Sequence, residues 1–190
     1  MEIAMIEEIL IQIFSPKQIL SIIGMALTVF SFQMKTKKQI LMMQTAGSAF
    51  YLVSYFLLQS WAAVLLNVVF LIRNIVFYFK DKKWASHGIW LYVILLLVVI
   101  AGALGYQTWW DLVPIVGSIF GTIAAYMKRE NLFRIFKLGD APCWLIFNIS
   151  IPSIGGIIGD SINVISITVG LIRYRKDGIF IDKRKGNAES

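Results

Sequence analysis

The run WLYVILLLVVIAGALG, residues 90–105, decides the fold class of this chain. It contains no charged residue, and with its neighbours it extends over residues 87–106. A helix that crosses the hydrocarbon core of a bilayer needs about 17–25 mostly apolar residues. The run also lacks the alternation of polar and apolar positions that is typical of a transmembrane β-strand. The sequence therefore predicts a transmembrane helix here.

Six further segments have a similar apolar character, three before this run and three after it. They are residues 17–34, 38–58, 61–79, 112–127, 131–151 and 154–174. Of the 190 residues, 58% are hydrophobic and 15% are charged, against about 45–50% and about 25% in soluble domains. We expect an all-α integral membrane protein with seven spans in one domain, residues 1–174, and a basic tail, residues 175–190. Residues 1–14 either lie in the membrane interface or extend the first span.

Basic residues cluster in alternate connections between these segments. One side of the predicted bundle carries 16 of the 18 lysines and arginines. They are Lys35, Lys37, Lys38, Lys80, Lys82, Lys83, Lys128, Arg129, Arg134, Lys137, Arg173, Arg175, Lys176, Lys183, Arg184 and Lys185. The positive-inside rule then predicts that the N-terminus lies outside and the C-terminus in the cytoplasm. Arg73 lies within the third span, where we expect its side chain to reach the cytoplasmic interface, with an ion pair to Asp160 or an anionic substrate as the alternative.

The sequence offers little material for several other functions. Short cationic clusters between apolar runs suit the lipid surface, so we expect the bilayer and not nucleic acid as a partner. Cys143 is the single cysteine and His87 the single histidine, which leaves little for a zinc site or a catalytic triad. Neither GxxxxGK[ST] nor GxGxxG occurs. We expect no enzyme activity and no cofactor.

Spans one to three and five to seven read as two copies of one unit. Gly24 and Gly117 each begin a stretch that ends at a methionine before a basic loop. The same offset pairs Tyr51 with Trp144, Tyr55 with Asn148, Ser60 with Ser153 and Asn67 with Asp160, whereas a three-residue slip pairs Asn67 with Asn163. The sequence therefore predicts two parallel three-helix units, residues 17–79 and 112–174, joined by a linker helix, residues 87–106. Parallel repeats of this kind occur in transporters whose substrate binds near the midplane.

Three pieces of the second half also carry a family resemblance. DLVPIVGSIFGT at 111–122, CWLIFNISIPSIGGIIGDS at 143–161 and NVISITVGLIRY at 163–174 resemble the bacterial inner-membrane family called YgjV. More distantly, the three-one-three arrangement is similar to SWEET sugar facilitators and PnuC vitamin transporters. The SWEET resemblance implies asparagines around the solute in spans three and seven, the positions of Asn67 and Asn163. SWEET repeats carry prolines in their first two spans, whereas spans one and two here have none, and Pro114 and Pro142 occur only in the second unit.

Polar residues within the predicted spans are the candidate binding residues, because such residues usually face the interior of the bundle. Asp160 lies about 9 Å inside the seventh span at ~1.5 Å per residue, where it could accept hydrogen bonds from a solute or hold a proton or cation. It is interfacial if the span starts later. Asn67 and Asn163 suit a polyhydroxylic or heterocyclic ligand, and equally a hydrogen bond between helices.

Trp144 and Asn148 share a face of span six, since they are four residues apart. An indole beside an amide suits the ring of a sugar or nucleoside, and Tyr51 is the repeat counterpart of Trp144. Packing of the bundle is the alternative role for these aromatic residues. Gly117-x-x-x-Gly121 and a second such motif at residues 155–159 predict close helix packing within the second unit, with a homo-oligomer as the open alternative.

The leading functional prediction is a small-solute transporter or facilitator for a sugar, nucleoside or vitamin-like compound. It would work by rocking of the two three-helix units about a polar site. The alternative is a receptor or assembly partner that does not transport and that uses its basic cytoplasmic face. The predicted substrate-binding residues are Tyr51, Asn67, Trp144, Asn148, Asp160 and Asn163.

Overall fold

A computed structural model describes residues 14–31, 37–127 and 130–176 of the chain. Within these ranges the chain forms seven α-helices and no strand. The helices are α1 (Pro16–Ser31), α2 (Lys37–Leu57), α3 (Trp61–Tyr78), α4 (Ile89–Gly105), α5 (Leu112–Tyr126), α6 (Glu130–Ser150) and α7 (Ile154–Lys176). A short 3-10 turn, Trp109–Asp111, precedes α5. Each predicted helix is present, and its ends agree with the prediction to within three residues.

Two stretches combine the length and the apolar character needed to cross a membrane, Trp61–Tyr78 and Trp109–Tyr126. Three shorter helical stretches are also apolar: Pro16–Ser31, Ile89–Gly105 and Ile154–Val169. The expectations for the first 13 residues and for residues 177–190 of the tail lie outside the described part of the chain. The structure therefore supports the all-α prediction, whereas two of the described stretches meet both the length and the composition expected of a membrane span.

The helices pack in chain order around a closed bundle. Each helix contacts the next one along the chain, and α7 returns to pack against α1. Helices α3 and α5 also contact each other, so α4 lies outside them as an extra layer. Six helices, all except α4, therefore surround the centre of the bundle.

Hydrogen bonds join α1 to the start of α7. The Gln18 side chain donates to the carbonyl of Pro152 at 2.7 Å and accepts from the N–H of Ile154 at 2.9 Å. The Ser21 hydroxyl accepts from the N–H of Gly155 at 3.1 Å. These contacts satisfy N–H groups of the first turn of α7, which have no partner within their own helix. They also close the bundle at this end.

Glycines allow the helices to approach closely at several crossings. Gly117 and Gly121 lie against Asp140 of α6, so a Cβ at either would meet α6 atoms at about 2.8 Å. Gly155 lies against the backbone of Ser21, and Gly159 lies near Tyr51. The prediction that both glycine motifs pack within the second unit is wrong for the second motif, because Gly155 and Gly159 face α1 and α2.

Candidate functional site

A cavity of about 100 Å³ opens inside the bundle between α1, α2, α3, α6 and α7. Its described wall is mostly polar and aromatic. The lining residues are Thr28, Gln44, Ser48, Tyr51, Tyr55, Asn67, Phe70, Lys137, Asp140, Trp144, Gly159, Asp160 and Asn163. Polar groups converging on one concave space are the usual mark of a small-molecule site. This cavity is the candidate site.

Five of the six predicted binding residues line this cavity. Tyr51 from α2, Asn67 from α3, Trp144 from α6, and Asp160 and Asn163 from α7 all contribute to its wall. Four different helices bring them together although they are distant in sequence. Their role in binding a solute stays a prediction, but their convergence is a feature of the fold.

Asn148, the sixth predicted residue, does not line the cavity. Its side chain is 1% exposed and lies behind the wall. There it accepts a hydrogen bond at Oδ1 from the Tyr55 hydroxyl at 2.9 Å, and its Nδ2 donates to Oδ2 of Asp160 at 2.8 Å. The expectation that Asn148 forms the wall beside Trp144 is corrected, because its amide is used to link Tyr55 to Asp160.

Three aromatic rings form a ladder on one side of the cavity. The ring centroids of Tyr51 and Tyr55 are 5.8 Å apart with an interplanar angle of 15°. Those of Tyr55 and Trp144 are 6.3 Å apart with an angle of 25°. The Tyr51 hydroxyl donates to the carbonyl of Gly155 at 3.2 Å, which anchors the first ring to α7. The ladder therefore presents rigid aromatic faces that α2 and α6 share.

Lys137 and Asp140 are cavity residues that the sequence analysis missed. Both lie in α6, where the ammonium of Lys137 pairs with Oδ2 of Asp140. Lys137 had been counted, together with Arg134, among the residues of a cytoplasmic loop, but α6 begins at Glu130 and contains both. A carboxylate within a predicted span is costly, and this argument selected Asp160. The same argument applies to Asp140 and could have identified it.

Gln44 and Ser48 form a second group that was missed. Together with Tyr51 and Tyr55 they occupy positions i, i+4, i+7 and i+11 of α2, which lie on one face of a helix. Gln44 and Ser48 line the cavity on that face. The helical period could have shown that Gln44 and Ser48 lie on the same face of α2 as the two tyrosines. Thr28 and Phe70, by contrast, carry no comparable pattern.

The side chain of Arg73 does not lie where the sequence predicted it. Its side chain is 4% exposed, and its guanidinium carbon lies 3.9 Å from the ring centroid of Phe70. Nη2 donates to Oδ1 of the neighbouring Asn74 at 3.4 Å, while Nε of Arg73 and Nδ2 of Asn74 are buried without a partner. The expectation that Arg73 reaches the interface is wrong, because its guanidinium lies against the ring of Phe70 inside the protein.

The arrangement can bind a small molecule through hydrogen bonds, charge and ring contacts. Amide groups from Asn67, Asn163 and Gln44 offer donors and acceptors, and Asp160 offers a carboxylate. Among the described residues, no group of three histidines, cysteines or carboxylates could hold a metal ion. The Nδ2 of Asn67 donates to the carbonyl of Ala63 at 3.0 Å, so its Oδ1 is the group that remains to accept hydrogen bonds.

Comparison with known proteins identifies one family. Residues 16–178 match the family model Imp-YgjV, described as a bacterial inner membrane protein. No curated protein and no solved structure matches the chain significantly. The match covers all seven helices and the complete cavity. The chain therefore belongs to the Imp-YgjV family of bacterial inner membrane proteins.

Proposed function

We propose that the chain crosses the inner membrane seven times, with α1–α7 as its spans. Helix α4 supports this, because a row of large apolar side chains stands exposed along its length. They are Tyr92, Leu96, Val99 and Leu104, each at least 50% exposed. Soluble proteins seldom expose so large a contiguous apolar surface, whereas lipid tails would cover it. Because the family consists of bacterial inner membrane proteins, we take the membrane that is crossed to be the inner membrane.

The proposed orientation places the N-terminus outside and the C-terminus in the cytoplasm. Lys82 and Lys83 lie exposed in the connection between α3 and α4, and the other basic clusters follow the same alternation along the sequence. Trp61 and Trp109 are exposed at the opposite helix ends. Interfacial tryptophans and a cationic cytoplasmic side are the usual features of such proteins.

We also propose that α1–α3 and α5–α7 are two parallel repeats, with α4 as the linker. The two inter-helix turns support this. The N–H of Ser60 donates to the carbonyl of Tyr55 at 3.0 Å, and the N–H of Ser153 donates to the carbonyl of Asn148 at 3.0 Å. Each residue of the second pair lies 93 positions after its counterpart in the first. The turns therefore have the same hydrogen-bond pattern at equivalent positions.

Helix crossings support the same repeat. A Cβ at Gly24 would lie 3.0 Å from the Tyr51 ring, and a Cβ at Gly117 would lie 3.3 Å from the Trp144 ring. Both the glycines and the aromatic residues are 93 positions apart. Helices α1 and α2 therefore cross at the point that corresponds to the crossing of α5 and α6.

The cavity wall favours one alignment of the third and seventh helices. At the unchanged offset, Asn67 corresponds to Asp160 and Phe70 corresponds to Asn163, and all four line the cavity. The three-residue slip that pairs Asn67 with Asn163 is not needed to align the wall. We therefore prefer the constant offset over the slip.

We propose that the protein is a small-solute transporter or facilitator in which the two repeats rock about this cavity. The single observation that carries the proposal is a polar central cavity walled by matched positions of both units. Tyr55 and Asn148, near the outer ends of α2 and α6, are buried, whereas Asp160 and Asn163 are partly exposed. A site closed at one end and accessible in its middle suits alternating access.

Uptake into proteoliposomes tests this function. Purified protein is reconstituted and offered labelled sugars, nucleosides and vitamin-like compounds at equal concentration. We expect uptake of at least one compound above that of protein-free liposomes, and its loss in Asp160→Asn and Asn163→Ala. Lys82→Ala, an exposed loop variant, is the control and is expected to retain uptake.

A negative panel would count against transport if the protein is monodisperse and unfolds cooperatively. Unchanged uptake in both cavity variants would show that the solute does not bind in this cavity during transport. The receptor or assembly role becomes the better proposal if no solute is taken up and a stoichiometric partner co-purifies, and if that partner is lost when residues after Arg175 are removed.

A further inference from the structure

The described wall of the cavity carries one more carboxylate than it carries ammonium groups. Asp140 and Asp160 line it together with Lys137. Lys137 pairs with Asp140, and the buried guanidinium of Arg73, which lies outside the wall against Phe70, also acts electrostatically on Asp140. Asp160 forms no ion pair with a described basic side chain, and Lys137 acts on it only at longer range. An ionised carboxylate inside a membrane protein is costly without a counter-charge.

The hydrogen bonds behind the wall orient Asp160 as an acceptor. The Tyr55 hydroxyl donates to Oδ1 of Asn148, which leaves the Nδ2 of that amide facing Asp160. An amide nitrogen donates and does not accept, so Oδ2 of Asp160 is the acceptor in this contact. Because Asn148 approaches from behind, the partly exposed Asp160 can still meet a solute from the cavity.

The aromatic ladder adds a second feature that attracts positive charge. The faces of aromatic rings carry negative electrostatic potential and bind cations within about 6 Å of the ring centroid. Among the described cation–ring contacts, none uses Tyr51, Tyr55 or Trp144, since Arg73 covers Phe70 and Lys80 covers Phe77 and Tyr126. The ring faces beside Asp160 are therefore not used by a cation of the described chain.

We propose that the solute of this cavity is a small organic cation, either a quaternary ammonium compound or an N-alkylated aromatic heterocycle. Its charge lies against Asp160, and its methylated or flat part lies beside the aromatic side chains that line the cavity. The inference rests on the proposed transport function and narrows its substrate class. A cavity of about 100 Å³ suits a small ion, since sites for drug-sized ligands measure about 300–1,000 Å³.

Pairs of compounds with the same shape and different charge test this proposal. Choline is compared with 3,3-dimethylbutan-1-ol, and 1-methylnicotinamide with nicotinamide, by calorimetric binding to the full-length protein in detergent and by uptake into proteoliposomes. We expect the cation of each pair to bind at least about tenfold more tightly than its neutral partner.

Variants then assign the preference to Asp160. Asp160→Asn is expected to abolish the difference between the members of each pair. Asp81→Asn makes the same chemical change on an exposed loop and is expected to retain the preference. The comparison within wild-type protein does not depend on any variant folding, and Asp160→Glu keeps the charge if the asparagine variant fails to fold.

The outcomes separate this inference from the proposed function. Equal or tighter binding of the neutral compounds overturns the cation inference and leaves transport intact. If the protein takes up neutral solutes at a rate that depends on external pH, and this dependence is lost in Asp160→Asn, then Asp160 carries a proton during transport. That result also overturns the cation inference. If folded protein neither binds nor transports any compound of either panel, the proposed function fails and the inference fails with it.

Discussion

The α1–α3 and α5–α7 units have matching turns and crossings, but they contribute different side chains to the cavity wall. Where the first unit has Gln44, the second has Lys137, and where the first has Gly47, the second has Asp140. The first unit's Asn67 corresponds to Asp160. All the charged residues of the described wall therefore come from the second unit.

Under the proposed repeat, this difference teaches that a repeated backbone need not form a symmetric site. The first unit supplies neutral hydrogen-bonding groups and two tyrosine rings, and the second supplies charge and one indole. Because matched positions lie at similar places in the two units, a substitution in one unit has a natural control in the other. Four substitutions follow, in order of expected effect.

Lys137→Met should have the largest effect on stability. It leaves the carboxylate of Asp140, whose side chain is 8% exposed, without its cation. Breaking a buried ion pair from one side costs about 3–5 kcal/mol, and the lower end applies because the Lys137 side chain is 23% exposed. We expect a loss of about 3 kcal/mol in the free energy of unfolding, measured as a lower midpoint of thermal unfolding in detergent.

The matched control for Lys137→Met is Gln44→Met in the first unit, where no charge depends on the replaced side chain. Its expected cost is below about 1 kcal/mol. Lys137→Met combined with Asp140→Asn should recover most of the lost stability, because the carboxylate that lost its ion-pair partner is also removed. Equal effects of the two single variants would contradict the asymmetry between the units.

Gly155→Ala should have the next largest effect. Its new Cβ would overlap the backbone carbonyl of Ser21, which cannot move without shifting α1. The counterpart of Gly155 is Ala62 in α3, whose backbone lies against Gly105 of the linker helix α4. Overpacking typically costs about 1–3 kcal/mol, and we expect about 2 kcal/mol.

Thermal unfolding measures the cost of Gly155→Ala, and Gly88→Ala serves as its control. A Cβ at Gly88 would meet only the Tyr126 hydroxyl, at 3.3 Å, so the midpoint should change little. A Gly155→Ala protein as stable as wild type would show that α1 and α7 can separate without cost.

The sequence predicted the helices better than it predicted the cavity wall. Apolar runs located all seven helices because each is long compared with the error at its ends. Tyr51 and Asp160 could be selected because an aromatic pair and an intramembrane carboxylate stand out in an apolar context. Asp140 was missed because Lys137, three residues earlier, was counted among the cytoplasmic basic residues, although the predicted span 131–151 contains both. Asn148 was placed on the wrong side of the wall, since spacing gives a helix face but not hydrogen-bond partners.

Asn148→Leu should have a smaller effect than the glycine substitution. It removes two hydrogen bonds at once, those with Tyr55 and Asp160, from a fully buried position. Side-chain hydrogen bonds in membrane proteins average about 0.6 kcal/mol, with a maximum of about 1.7 kcal/mol. We expect a loss of about 1–1.5 kcal/mol. Tyr55→Phe at the matched position removes one bond and should cost about half as much. A larger effect of Tyr55→Phe would contradict this order.

Arg73→Met should have the smallest effect, and its sign should be opposite. The counterpart of Arg73 in the second unit is Ser166, which is exposed, so the repeat itself does not need an arginine here. The Nε of Arg73 is buried without a partner, which costs about 1–3 kcal/mol, while its stacking on Phe70 returns about 0.5–2 kcal/mol. Methionine keeps much of the packing and removes the buried charge, so the unfolding midpoint should stay unchanged or rise slightly. Arg73→Lys keeps the charge but cannot stack on the Phe70 ring as the planar guanidinium does, so it should lower the unfolding midpoint. If Arg73→Met instead destabilises the protein by more than about 1 kcal/mol, the guanidinium makes a favourable interaction in the membrane that its contacts with Phe70 and Asn74 do not account for.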